Sequence, residues 1–134
     1  MNYTAVIVDD ESNVVELLTE LIADEFDGLQ VGGSAKTLTG AVKTIEEVKP
    51  DLVFLDINLP SGSGLQLLDH FTVRSFEVVF ITGYASLEKL AVKYKPLGIL
   101  TKPIDKENLT NVVEKFKTER RKATKRIIKN SNLL

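Results

Sequence analysis

Short apolar runs that do not alternate with polar residues recur five times in this chain, separated by stretches whose apolar residues fall at helical spacing. Ala5–Val8 leads into Asp9 and Asp10, Val53–Leu55 into Asp56, Val78–Ile81 into Thr82, and Ile99–Leu100 into Thr101, Lys102 and Pro103; Leu29–Val31 is the shortest candidate. A run apolar at every position has both faces buried, as in a strand covered by helices on both sides. The intervening segments supply the covering. Val14, Val15, Leu17, Leu18, Leu21, Ile22 and Phe26 trace one helix face, stopped by Gly28. Leu38, Ala41, Val42, Ile45 and Val48 trace a second, after a Gly32-Gly33-Ser34 turn and before Pro50. Leu65–Phe71, Leu87–Tyr94 and Leu109–Phe116 give three more. Strand and helix thus alternate five times. Parallel neighbours need crossover connections, so the expected class is α/β, with a parallel sheet sandwiched between helices.

A chain of 134 residues suits one core. It has no cysteine, which excludes disulfides and thiolate metal sites and favours a reducing, cytoplasmic setting. Its apolar runs are all far shorter than a membrane span, and a cationic leader before the first of them is lacking, so no membrane association is expected. The net charge of −2 conceals an asymmetry: residues 120–134 carry six Lys/Arg and no acid, against a clearly acidic remainder. An acidic body does not suit phosphate-backbone binding, so no nucleic-acid contact is expected of the main domain itself. The basic stretch 119–134, with Ile127 and Ile128, reads as a linker or an extension of the last helix.

In an open parallel sheet the carboxyl ends of the strands share one edge, and ligands bind there. That edge would gather Asp9, Asp10, Asp56, Thr82 and Lys102. Three neighbouring carboxylates need a counter-charge, and oxygen-only donors with no His or Cys point to Mg²⁺. Carboxylate, dication, hydroxyl and ammonium are together the parts that stabilise a phosphoryl group in transfer. Plainer roles exist for each. Asp9, Asp10 and Glu11 would complement the positive end of the first helix by up to about 1 kcal/mol; Asp56 would serve as a strand-end turn former, Thr82 as a β-branched strand residue and Lys102-Pro103 as a strand exit. It is their joint placement that favours the chemistry. His70 reads as a solvent-facing side chain, and the glycines fit neither phosphate-cradling pattern of nucleotide enzymes.

"VDDE" (Val8–Glu11), "LDINLPSGSG" (Leu55–Gly64), "FITG" (Phe80–Gly83) and "TKP" (Thr101–Pro103), in this order and at these separations, resemble the receiver domain of two-component response regulators over about residues 3–118. The resemblance implies a flavodoxin-like sheet of order 2-1-3-4-5. It implies that Asp56 accepts a phosphoryl group from a phosphohistidine on a sensor histidine kinase, and stands exposed at its strand end to do so. It further implies that Asp10, Asp56 and the backbone carbonyl of Asn58 bind Mg²⁺, Asp9 acting through water. Lys102 would pair with the phosphoryl oxygens, Thr82 would hydrogen-bond them, and Pro103 would follow a cis peptide bond. Chemistry is then limited to the domain's own phosphorylation and dephosphorylation. The surface of helix 4, strand 5 and helix 5 would switch, as a possible homodimer face, to control an output, transcription being the expected one.

One position departs from the family: Ile99 stands where many receivers carry Tyr or Phe, so an aromatic rotamer switch is not expected there, and Tyr84 or Tyr94 are the candidate substitutes. The stretches "VVFITGYA" and "LTKPIDKENLTNVVEKF" look most like receivers joined to LytTR-type DNA-binding domains, which would make residues 1–118 the receiver and place DNA binding in a C-terminal domain absent from this sequence. Two other functions remain open: a receiver-shaped binding module that works without phosphorylation, and an aspartyl-nucleophile phosphohydrolase, against which stands the lack of a DxD on the first strand.

Overall fold

All five residues of the strand Leu52–Asp56 are buried, as a run apolar on both faces requires. The computed structural model describes residues 2–83 and 93–132, and every statement below concerns these. In chain order the elements are β1 (Tyr3–Val8), α1 (Ser12–Glu25), β2 (Leu29–Ala35), α2 (Leu38–Val48), β3 (Leu52–Asp56), β4 (Asn58–Leu59), β5 (Gly62–Ser63), α3 (Leu65–His70), β6 (Glu77–Thr82), β7 (Gly98–Thr101) and a last helix, Lys106–Asn132. The main sheet has the order β2-β1-β3-β6-β7 with every neighbouring pair parallel. With the β4–β5 hairpin set aside, this is the expected 2-1-3-4-5 order of an α/β, flavodoxin-like fold.

Successive strand side chains point to opposite faces, and the core divides accordingly. Ala5, Ile7, Phe54, Val79, Ile81 and Leu100 pack with Leu18 and Ile22 of α1 and with Leu109, Val113 and Phe116 of the last helix. Val6, Val8, Val53, Leu55, Val78 and Phe80 pack with Ala41 and Ile45 of α2 and Leu67 and Leu68 of α3. Each of these helices contributes residues of the apolar stripe legible in its spacing, although Leu17 of the α1 stripe is exposed.

One expectation needs revising, and two details are added. Gly32-Gly33-Ser34 is not a turn but the second half of β2. Val31 opposes Ala5 and Gly33 opposes Val6, so Gly32 is an unpaired bulge residue. A Cβ on Gly32 would run into the Thr4 methyl, and one on Gly33 into the Thr44 methyl, so the glycines let α2 lie close on the strand. The loop after Asp56 contains the short antiparallel hairpin β4–β5. The last helix runs for 27 residues, so of the two readings of the basic stretch the described residues take the helical extension.

Arg120 anchors the helix to the body: its guanidinium donates to the carbonyls of Asp51 at 3.0 Å and Ser75 at 2.9 Å and lies over the Phe116 ring. Beyond it Ile127 and Ile128 are exposed. Of the helix expected over Leu87–Tyr94, residues 87–92 lie outside the described residues; Lys93 and Tyr94 are helical.

Candidate functional site

Strand register brings the sequence-distant candidates together. Val8 opposes Leu55, which sets Asp9 beside Asp56. Asp56 opposes Ile81, with Thr82 next, and Thr82 opposes Thr101, with Lys102 next. The result is a row of functional side chains along one sheet edge. Oxygen atoms of Asp9, Asp10 and Asp56 lie within 4.8 Å of one another. Lys102 Nζ stands 3.1 Å from Asp56 Oδ2, 3.1 Å from Asp9 Oδ2 and 2.9 Å from Glu11 Oε2. The peptide bond between Lys102 and Pro103 is cis, as the resemblance implied.

Asp56 is not exposed, contrary to the reading of a strand-end nucleophile: it retains 3 % of its accessible surface, with Asp9 at 0 % and Thr82 at 1 %. Its carboxylate is taken up by the Asn58 N–H at 2.9 Å and the Lys102 ammonium at 3.1 Å, and the following loop closes on its backbone. Gly64 N donates to Ile57 O at 2.7 Å, and a Cβ on Gly64 would collide with the Asp56 carbonyl oxygen. Gly64 itself has ordinary helical dihedrals, so what it supplies is close approach rather than conformational freedom. Freedom is needed at Gly62, where φ is 138°.

Burial acts on the charges. Desolvation is the main cause that raises the Asp56 pKa above its usual value, and Asp9's charge adds to it. The Asn58 N–H, donating to Asp56 Oδ1 at 2.9 Å, and the Lys102 ammonium oppose it without cancelling it. For Lys102 burial works towards a lower pKa, but hydrogen bonds to Glu11, Asp9 and Asp56 outweigh it and raise the pKa well above that of a free lysine. The ammonium is a fixed charge in this site.

The acid cluster fits a hard cation. Asp9 Oδ1 accepts from the Glu11 N–H at 2.8 Å, but the buried Oδ2 has no hydrogen-bond partner: Lys102 Nζ is near enough for attraction and is not aimed at it. An orphaned carboxylate oxygen, beside two further carboxylates and no soft donor, suits an oxygen-coordinated dication.

Several residues fall outside this cluster. Tyr84 lies outside the described residues. Tyr94 points elsewhere, its hydroxyl 3.4 Å from Asp69 Oδ1. Ile99 is half-buried against the apolar cluster under α2 and α3. His70 is exposed as expected, though Glu46 lies 3.7 Å from its Nε2. Glu11 went unrecognised as a Lys102 partner. Its place directly after Asp9 and Asp10 was the available signal.

Comparison with known proteins agrees with this geometry. The family model for the response regulator receiver domain matches residues 5–114. An uncharacterized response regulatory protein of Vibrio cholerae is 36% identical over 121 residues, covering 90% of this chain and 51% of its own length. Sporulation initiation phosphotransferase F of Bacillus subtilis is 32% identical over 121 residues, covering 87% of this chain and 94% of the relative. Among solved structures, the REC domain of AraT, a response regulator from Geobacillus stearothermophilus, superposes with a TM-score of 0.82 at 25% identity, covering 92% of this chain and 99% of that one. The signal receiver domain of a putative Luxo repressor protein from Vibrio parahaemolyticus gives 0.80 at 25%, covering 92% and 97%. The chain spans about half the length of the first curated relatives it matches. A buried aspartate paired to a lysine at the edge of a 2-1-3-4-5 parallel sheet, together with a family match over most of the sequence, means that this chain belongs to the response regulator receiver domain family.

Proposed function

We propose that the domain is a phosphoacceptor switch of a two-component system, with Asp56 as the residue phosphorylated by a sensor histidine kinase. An Asp56 carboxylate oxygen attacks the phosphorus of the phosphohistidine. The new P–O bond forms as the P–N bond breaks, and the imidazole nitrogen leaves with the bonding pair. The product is an acyl phosphate on Asp56. Lys102, already 3.1 Å from Asp56 Oδ2, neutralises the charge gathering on the phosphoryl oxygens. Thr82, at the end of the neighbouring strand, donates its hydroxyl to the product. Asp10, Asp56 and the Asn58 backbone carbonyl would hold Mg²⁺ directly, and Asp9 through water. The ion would supply charge neutralisation between the acids and the incoming phosphoryl group.

The observation that carries this reading is the contact of the Lys102 ammonium with a buried Asp56 whose carboxylate also belongs to the three-acid cluster. A groove beside Lys102, lined by Glu11, Val14, Leu17, Pro103 and Ile104, gives a donor protein an approach from the α1 side. Phosphorylation adds charge and acceptor oxygens, and the switched surface is that of the segment after β6, β7 and the last helix, also the proposed homodimer face. Chemistry stays confined to the domain's own phosphorylation and dephosphorylation. The proposed output is transcription, through a DNA-binding domain of LytTR type following residues 119–134, in a cytoplasmic protein. No helix among the described residues is long and apolar enough to cross a membrane.

The test is titration with beryllofluoride and Mg²⁺, followed by NMR. The proposal expects the amide resonances of Asp56, Asn58 and Thr82 to shift together, and a spectrum that does not change would refute it. Ile99 favours one second reading, a receiver-shaped module working without phosphorylation; a Mg²⁺ titration with no binding would support that reading instead.

A further inference from the structure

An ammonium group has three N–H donors, and in Lys102 three carboxylates take them: Glu11 Oε2 at 2.9 Å, Asp56 Oδ2 at 3.1 Å and Asp9 Oδ1 at 3.4 Å. The shortest contact goes to the acid to which the phosphoacceptor reading gives no role. Glu11 is also the N-cap residue of α1, a position whose side chain ordinarily accepts from the first helical N–H groups, yet it makes no capping bond. Its carboxylate is turned to Lys102 across 91 positions of sequence.

The three acids differ in what it costs to release the ammonium. Side-chain exposure is 50% for Glu11, 4% for Asp56 and 0% for Asp9. A buried carboxylate that loses its cation is left unpaired away from water, whereas Glu11 regains hydration at once. A phosphoryl group on Asp56 presents several acceptor oxygens to Lys102, and beyond the N–H already turned to Asp56 itself the ammonium's donors are held by Asp9 and Glu11. Glu11 is the partner able to yield one.

We propose that Glu11 is a displaceable tether: it holds the Lys102 ammonium at the rim of the site and surrenders it to the phosphoryl group. It is a positioning residue, acting through Lys102, and this inference rests on the reading of Asp56 as phosphoacceptor. Because tether and phosphoryl group compete for one donor, removing the tether strengthens binding of a phosphoryl mimic.

The test is the affinity of the 134-residue chain for beryllofluoride at saturating Mg²⁺, measured by NMR titration for the wild type, Glu11→Gln and Glu11→Asp. Glu11→Gln removes the charge. Glu11→Asp keeps it but shortens the side chain by one methylene, so that the contact with Nζ is lost. The tether requires both variants to bind about threefold more tightly, the size expected of a half-exposed ion pair, and the Lys102 ammonium ¹⁵N signal to move in both before any mimic is added. Glu11→Asp behaving as wild type would assign the effect to through-space charge and overturn the tether, as would three equal affinities. Failure of the wild type to bind beryllofluoride would overturn the phosphoacceptor reading itself.

Discussion

Lys102 Nζ lies 3.1 Å from Asp56 Oδ2 although 46 residues separate them, and this pair joins the ends of two strands that are not neighbours in the sheet. The contact exists because β6 stands between β3 and β7 and sets both strand ends at the same height, with Asp56 opposite Ile81 and Thr101 opposite Thr82. It neutralises part of a carboxylate cluster that burial alone would make unstable. Its removal has a definite signature. Lys102→Met destabilises the metal-free domain by about 2 kcal/mol at neutral pH, the scale of a charge-assisted hydrogen bond lost at a buried acid. Urea denaturation at several pH values measures this, and the loss should shrink in acid as the carboxylates take up protons.

Asp56 gives a pH dependence of opposite sense to that of an ordinary salt-bridged acid. Its folded-state pKa lies above its ordinary value of 3.8, chiefly through desolvation. Between those two values the folded state holds more protons than the unfolded one, so stability falls as pH rises through the window; below it both states are protonated and the effect vanishes. Asp56→Asn lacks this titration. The stability of Asp56→Asn relative to wild type, both free of metal, should therefore increase with pH from about 4 upward. A difference that stays constant or narrows would count against the burial of a net unfavourable charge.

Mg²⁺ should reverse that penalty. At about 100 times its dissociation constant a ligand specific to the folded state adds about 2.7 kcal/mol, visible as a rise in Tm over a chelator-treated sample. Asp10→Asn and Asp56→Asn should lose most of the rise. Equal Tm shifts in all three proteins would place the ion elsewhere.

The loop glycines separate steric from conformational demands. Gly64→Ala drives a Cβ into the Asp56 carbonyl oxygen and should cost about 2 kcal/mol, with weakened Mg²⁺ binding because Asp56 must shift. Gly83, where an added Cβ would meet no atom within 4 Å among the described residues, is the control. Gly83→Ala should alter stability by less than about 0.5 kcal/mol. Chemical denaturation of the two variants decides the matter.

The last helix should divide energetically at Arg120. Phe116→Ala, at a fully buried position against Tyr3, should cost about 3–5 kcal/mol. Ile127→Ala, at a residue 66% exposed, should change stability by less than about 0.5 kcal/mol. A large loss from Ile127→Ala in dilute monomer would show that the outer helix packs on the body.

What could be seen in the sequence was what periodicity encodes. Uninterrupted runs such as Val78–Ile81 announce strands buried on both faces, and the stripe Leu38, Ala41, Ile45 announces α2 because burial falls on Ala41 and Ile45, with Leu38 partly buried beside them. Asp9, Asp10, Asp56, Thr82 and Lys102 could be placed on one edge because each ends or follows a strand, and parallel topology does the rest. Contacts between distant residues that carry no pattern were hidden. Arg120 looked like one cation among six, yet carbonyls 69 and 45 positions earlier hold it. Glu11 looked like a helix-start acid, yet its partner lies across the sheet edge. Gly32 and Gly33 looked like a turn because glycine marks both turns and close packing, and only the position of α2 distinguishes the two. The close approach of Gly64 to the Asp56 carbonyl, like the burial of the Asp56 carboxylate beside Lys102, is a tertiary contact that no local pattern states.

Intact-mass spectrometry after treatment with acetyl phosphate, with and without Mg²⁺ and followed by peptide mapping, tests the central claim most directly. The account requires a gain of one phosphoryl group, confined to the peptide that contains Asp56, dependent on Mg²⁺ and absent from Asp56→Asn. No gain, a gain on another residue, or a gain indifferent to Mg²⁺ would contradict it.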